Sequence, residues 1–351
     1  MFLKEFSIDG QKIGESSPPY IIAEMSANHG GKITRAKNII KLSKDCGANA
    51  IKIQVYEPSS LTINCHKKHF LIDKKFKWKD RSLYDLYSEA KTPKKWVPEL
   101  ISYAKKIGIT LFASVFDIDT VKYLNKLKIP AFKIASFEAN YHELIAECVK
   151  TNKPIIISTG LCNKKEIQEI VKVVKKNSGK KLILLKCVSS YPTPLSYSNL
   201  SLINQMKIDF KVNIGLSDHT LGLEAAKAAS ILGACVIEKH FIDDKRKETP
   251  DSFFSIGPKE LKKLVEESKK GFILRGNCKY GPSDYEKDSL VFRRSIFVTK
   301  NIQIGEKFSH LNLAIIRPGN GIQPKFLNNI VGKIAKKKLT RGTPLKWKDI
   351  K

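Results

Sequence analysis

Polar residues close almost every short apolar run in this chain: Glu24 after YIIA, Lys52 and Gln54 within IKIQ, Ser114 after LFA, Lys133 and Ser136 within FKIAS, and Ser158 with Thr159 after PIII. The series continues with Ser189 and Ser190 after LLKCV, with Ser217, Asp218 and His219 in GLSDH, and with Glu238, Lys239 and His240 in EKH. Any one of these is most simply a turn or capping residue. Recurrence at the same end of every run asks for more. Two lysines and several hydroxyls pointing into one cavity would offer charge-assisted hydrogen bonds to phosphate and carboxylate groups, neutralising a small, multiply charged anion. His219 and His240 end consecutive runs, so their imidazoles could reach one divalent cation, with water and carboxylate oxygens in its remaining positions. His29, in SANHGG, follows Glu24 and is expected to line the same mouth, whereas His66, His69, His142 and His310 have no such placement.

These residues can meet only if the runs are neighbours. Candidate strands cover Tyr20–Glu24, Ala50–Ile53, Thr110–Ala113, Ala131–Ile134, Pro154–Ser158, Leu182–Lys186, Val212–Gly215 and Val236–Lys239, and they alternate with amphipathic runs of helical period such as Lys164–Lys175 and Leu223–Leu232. Eight β/α units over about 250 residues fit a TIM barrel, whose chemistry sits at the carboxyl ends of the strands. A doubly wound sheet is the alternative. The connection from Tyr56 to Thr92, rich in lysine and aromatics, is long enough to be a lid or substrate loop. GNCKYGPSDYEKD breaks the alternation, which predicts a barrel domain over residues 1–275, a linker over 276–288 and a small β-rich unit over 289–351.

Composition narrows the function. Of 351 residues, 42% are hydrophobic and 28% charged, the balance of a folded globular protein. Seven scattered cysteines without CxxC spacing read as reduced thiols, and with neither a signal peptide nor a membrane span evident, a cytoplasmic protein is expected. The formal charge of +29 suggests polyanions, yet only eight of the 63 basic residues are arginines, and no basic aromatic stripe or zinc-finger spacing occurs. Nucleic acid and membrane are therefore not expected as partners; a positive field that steers a small anion is. Gly30–Gly31 completes no GxGxxG fingerprint, no phosphate loop of GxxxxGK[ST] type is present, and no nucleophile elbow occurs. Ser158–Thr159–Gly160 could either bind phosphate through backbone amides or cap the following helix.

Taken together, IIAEMSANHGG (21–31), IKIQ (51–54), AFKIASFEAN (131–140), PIIISTGL (154–161), LLKCVSSYPTP (184–194), IGLSDHTLG (214–222), VIEKHF (236–241), TPDSFFS (249–255) and IRPGNGI (316–322) resemble the sialic acid synthase family over nearly the whole chain. SANH after Glu24, LYDLYSEAKTP (83–93), KIASFE and RRS (293–295) resemble the branch of pseudaminic acid synthases. The resemblance implies a TIM barrel followed by a small C-terminal β-rich domain of the SAF (antifreeze-like) type, in a domain-swapped homodimer. It implies that phosphoenolpyruvate is held by Lys52, Ser114, Lys133, Ser136, Ser158, Ser189 and Ser217. It further implies a divalent metal on His219 and His240, Mn2+ with Mg2+ or Co2+ as substitutes. Glu24 and Asp251 would lie near the reacting centre, and an acetamido sugar would meet Gln54, Glu138, Tyr191 and the partner's Arg317. Either Glu24 or a metal-bound water would accept the proton.

The implied reaction joins phosphoenolpyruvate, water and 2,4-diacetamido-2,4,6-trideoxy-L-altrose into pseudaminic acid and phosphate. Alternatives are N-acetylneuraminate or legionaminate synthase chemistry, a deoxy-octulosonate phosphate synthase on a similar barrel, or a non-enzymatic polyanion- or glycan-binding protein.

Overall fold

The computed structural model describes residues 1–351, which form two compact units, Met1–Gly276 and Asn277–Lys351. The first opens with a hairpin, β1 (Phe6–Ile8) antiparallel to β2 (Gln11–Ile13). Its turn is Asp9–Gly10, both at positive φ, the backbone that a two-residue turn between twisted strands requires. The hairpin is absent from the sequence expectation, although Asp–Gly is its signal.

Eight parallel strands follow: β3 (Tyr20–Glu24), β4 (Ala50–Val55), β5 (Thr110–Val115), β6 (Phe132–Ile134), β7 (Ile155–Ser158), β8 (Leu182–Cys187), β9 (Asn213–Asp218) and β10 (Val236–His240). They close in sequence order, β10 pairing with β3 from Val236 opposite Tyr20 to His240 opposite Glu24. The sheet is thus a barrel and not a doubly wound sheet. Burial on both faces accounts for strands that read as continuous apolar runs.

Side chains alternate between the two faces. One parity packs outward under the helices, among them Ile21, Ala23, Ile51, Ile53, Leu182 and Leu184. The other faces inward: Tyr20, Ile22, Ala50, Phe112, Ala131, Ile156, Ile183, Leu185 and Val236 fill the interior together with Phe6, Ile8 and Ile13 of the hairpin. These inward residues occupy the amino-terminal half, so the hairpin closes that end with apolar side chains. Two residues further along each strand, the same parity delivers Glu24, Lys52, Ser114, Lys133, Ser158, Cys187 and Glu238 to the opposite end.

The helices are α1 (Ile33–Asp45), α2 (Pro58–Leu61), α3 (Leu83–Ala90), α4 (Val97–Ile107), α5 (Ile118–Lys126), α6 (His142–Lys150), α7 (Lys164–Lys176), α8 (Leu202–Phe210), α9 (Glu224–Ile231) and α10 (Pro258–Arg275). In α7 the apolar stripe is Ile167, Ile170, Val171 and Val174, all buried, and Asn163 with Glu166 forms a capping box at its start. The long connection after β4 is structured: α2 and α3 lie within it, Ser82 caps α3 by accepting from Asp85 N at 3.1 Å, and Thr92 N returns to Gln54 O at 3.1 Å.

In the second unit, β11 (Ser295–Val298) pairs antiparallel with β12 (Leu313–Ile316), and a short helix, α11, spans Leu327–Ile330. Its own core includes Ile296, Val298, Ile302, Phe308, Leu313 and Leu345. The predicted linker region contains a 3-10 turn at Asp284–Glu286.

Candidate active site

The inward parity that fills one end of the barrel with hydrocarbon places four ionisable side chains at the other. Glu24, Lys52, Lys133 and Glu238 are each at most 4% exposed. Lys52 Nζ lies 2.5 Å from Glu24 Oε2 and 3.7 Å from Glu238 Oε1, and donates to Ser114 Oγ at 2.6 Å. Lys133 Nζ lies 3.6 Å from Glu238 Oε1 and donates to Ser158 Oγ at 2.7 Å. Ser217 Oγ donates to Glu238 Oε1 at 3.4 Å, and Gln54 Nε2 to Glu24 Oε1 at 3.0 Å. Buried ion pairs are a poor way to stabilise a fold, because desolvation cancels much of their attraction. Such a cluster at the functional end of a barrel is better explained by what it binds.

Burial and neighbouring charge divide the two carboxylates. Glu24 is pushed above the usual carboxylate range by burial, against the pull of Lys52 and with the repulsion of Glu238. Glu238 experiences the same burial, but Lys133, Lys52 and His219 outweigh it and hold the group below its ordinary value. Of the pair, Glu24 is therefore the one whose carboxyl holds a proton more readily than usual. The lysines divide likewise. Burial lowers Lys133, whereas Glu238 and Glu24 overcome burial at Lys52 and raise it.

Loops following the strands bring in the remaining predicted residues. Ser136 Oγ accepts from Gly160 N at 3.1 Å and lies 3.5 Å from Cys187 Sγ, which is 4.0 Å from Ser189 Oγ. A Cβ at Gly160 would collide with the hydroxyls of both Ser136 and Ser189, so this approach requires glycine. His219 Nδ1 lies 2.8 Å from Val188 O, and the ring centroids of His219 and His240 are 5.5 Å apart. Asp251 Oδ2 is 3.7 Å from His240 Nδ1, and Tyr191 packs on His219 with centroids 4.4 Å apart. Glu138, in the turn after β6, has a buried Oε2 without a hydrogen-bond partner, and burial pushes its pKa up to about 7 against the pull of Lys133. Arg317 lies in the second unit, exposed immediately after β12.

The histidine pair fits a metal that keeps open positions. His219 spends Nδ1 on a backbone carbonyl, the support that orients a ligating imidazole, and the buried His240 Nδ1 has no hydrogen-bond partner. No set of three His, Cys, Asp or Glu side chains converges to hold a metal, so the chain itself would supply two nitrogens and leave room for substrate and water oxygens.

Three sequence expectations change. His29 does not line the mouth: it is fully buried in its own turn, accepts from Gly31 N at 3.1 Å and meets Trp96 edge-on at 5.5 Å. Asp218, the last residue of β9, and Lys239, one before the last of β10, have outward parity and pair with each other at 2.6 Å, away from the interior cluster. Conversely, Glu238 and Cys187 belong to the interior but received no role from the sequence; with Val236 and Ile183 on the inward face, counting by two places both there as well.

Residues 39–280 match the NeuB family and residues 293–351 the SAF domain. A pseudaminic acid synthase of Campylobacter jejuni is 41% identical over 332 residues, covering 95% of this chain and 96% of its own. An N,N'-diacetyllegionaminic acid synthase of the same species is 37% identical over 320 residues, covering 90% and 96%. The crystal structure of an N-acetylneuraminic acid (sialic acid) synthetase from Leptospira borgpetersenii superimposes with a TM-score of 0.74 at 32% identity, covering 82% of this chain and 95% of that one. With its family match over more than half of its length and its full-length relatives, the chain belongs to the NeuB family and carries a SAF domain at its carboxyl end.

Proposed function

We propose that this protein is a phosphoenolpyruvate-dependent pseudaminic acid synthase, and that it joins phosphoenolpyruvate to 2,4-diacetamido-2,4,6-trideoxy-L-altrose. The reading is carried by the full-length similarity to a relative of that name, and the lysine–serine floor of the barrel fits the anionic substrate. Lys52 and Lys133, supported by Ser114 and Ser158, neutralise phosphate and carboxylate, while Ser136, Ser189 and Ser217 direct hydroxyls at the same anion. His219 and His240 hold the divalent metal. Bound there, Mn2+ or a similar ion supplies Lewis acidity to the sugar carbonyl. Gln54, Glu138 and Tyr191 contact the sugar, and Asp251 stands beside His240 at the reacting centre.

Carbon 3 of phosphoenolpyruvate forms the new bond to the sugar aldehyde carbon, whose oxygen becomes a hydroxyl. Water adds to carbon 2 and gives one proton to Glu24, which returns it to the oxygen of the former aldehyde; phosphate leaves by cleavage of the carbon–oxygen bond and takes the proton of the carbon-2 hydroxyl, which becomes the ketone. The nine-carbon 2-keto acid then cyclises. We assign the reaction to the cytoplasm; no helix is long and apolar enough to cross a membrane. We further propose a domain-swapped homodimer in which Arg317 of the partner subunit reaches the sugar.

Legionaminate synthase chemistry is the second reading, favoured by the 37% identical relative. Phosphate release is measured with phosphoenolpyruvate, Mn2+ and each of the altrose, legionaminate-type and N-acetylmannosamine substrates. The expected result is highest kcat/KM with the altrose. Release with another sugar alone transfers the assignment to that branch; salt-sensitive polyanion binding without turnover makes the protein a binder.

A further inference from the structure

The barrel mouth has two chemically different sides. Its floor carries Glu24, Lys52, Lys133 and Glu238; the side around the histidines is aromatic. Tyr191 packs at 4.4 Å on His219, Phe254 at 4.6 Å on His240, and Tyr191 and Phe254 lie 5.1 Å apart. Phe253 extends this surface, 5.0 Å from Phe254. Onto it comes one residue of the long connection between β4 and β5. Trp78 meets Tyr191 and Phe253, both at 5.9 Å, and donates from Nε1 to Pro250 O at 2.7 Å. Trp78 stands among Lys74, Lys75, Lys77 and Lys79, in a stretch that otherwise reads as solvated surface.

That hydrogen bond uses the only donor of the indole, so the rest of the ring is a carbon surface. Phe254 is buried behind the other three rings, and apart from the Tyr191 hydroxyl the half-buried Trp78, Tyr191 and Phe253 offer no polar atom to a ligand. A sugar hydroxyl pressed against such a surface loses its water without gaining a partner, whereas a methyl group loses nothing. We propose that Trp78 is a specificity-determining residue that completes an aromatic wall, and that this wall selects sugars presenting methyl groups, a deoxy carbon or acetamido methyls, where other sugars present hydroxyls. The inference rests on the synthase reading above and deepens it by naming the chemical class of the sugar edge that is read.

The test compares kcat/KM for the accepted acetamido sugar with that for two analogues, one bearing a hydroxyl on the 6-deoxy carbon and one with glycolyl in place of acetyl. The protein carrying Trp78 is expected to reject at least one analogue ten- to hundredfold, the range open to an apolar surface facing one added hydroxyl. In Trp78→Ala that discrimination should shrink to within threefold, with KM for the sugar raised and KM for phosphoenolpyruvate unchanged. Trp78→Phe, which keeps a ring but loses the bond to Pro250 O, should retain most of the discrimination. Acceptance of both analogues by the unaltered protein overturns the proposal. So does discrimination that survives in Trp78→Ala, or a KM for phosphoenolpyruvate that rises in step with that for the sugar. If only a different acetamido sugar supports phosphate release, the pseudaminate reading falls, while that sugar and its own hydroxyl and glycolyl analogues still decide the role of the wall.

Discussion

Lys52 and Lys133 would suit phosphate on any surface; what makes them particular is company that burial forces on them, with two carboxylates and two serines sharing one dry space. Gly160 belongs to the same economy of space. Gly160→Ala should push Ser136 and Ser189 apart and raise KM for phosphoenolpyruvate about tenfold or more, with sugar KM little changed, as steady-state kinetics would register. Equal loss for both substrates would mean a general distortion. Glu138 gives a pH signature. Its folded value near 7 lies above the ordinary 4.5, so the native state holds a proton that the unfolded chain releases. That contribution to stability is fully present below pH 4.5 and is lost as pH rises through about 7. Glu138→Gln should abolish this part of the slope, gaining on the unaltered protein by up to about 3 kcal/mol between pH 4.5 and 8 in denaturant titrations. Parallel stability profiles would show that the carboxyl is not held protonated.

At the scale of elements, the barrel separates stability from chemistry along its axis. Phe6, Ile8 and Ile13 of the β1–β2 hairpin pack with inward residues such as Tyr20 and Phe112, whereas the ionisable cluster lies at the carboxyl ends of the strands. Ile8→Ala should therefore cost about 2–5 kcal/mol of folding free energy by urea denaturation while leaving both KM values unchanged. A shift in substrate affinity would mean that the two ends are coupled. Helix limits follow local chemistry where it is strong, as in the capping box of α7. Where it is weak no side chain marks the limit: α1 begins at Ile33 behind Lys32, whose side chain caps nothing.

For the whole molecule, the composite-site proposal makes a prediction that no single-chain site can meet. Arg317→Ala should raise KM for the sugar far more than KM for phosphoenolpyruvate. His219→Ala should abolish metal-dependent turnover, because one of two protein ligands is lost. Mixing the two proteins at a sugar concentration where Arg317→Ala turns over slowly should restore activity, since one of the two composite sites in each heterodimer then receives both intact residues. Absent activity after demonstrated subunit exchange would place the whole site within one chain.

The sequence by itself determined the eight-stranded alternation, the family and most of the polar residues at the strand ends, because short continuous apolar runs, helical-period runs between them and strand-end polarity are local properties of the chain. Asp218 and Lys239 show where that information stopped. They stand in the same strand-end clusters as Ser217 and Glu238, yet they pair on the outer face, since only closure of the sheet decides which parity is interior. Burial raises Glu24, and the same burial is overturned at Glu238 only by charges on β4, β6 and the loop after β9, none of them on its own strand. Trp78 meets Tyr191 and Pro250 across 113 and 172 residues of chain. Such meetings depend on where the closed barrel sets its loops, and no local propensity encodes them.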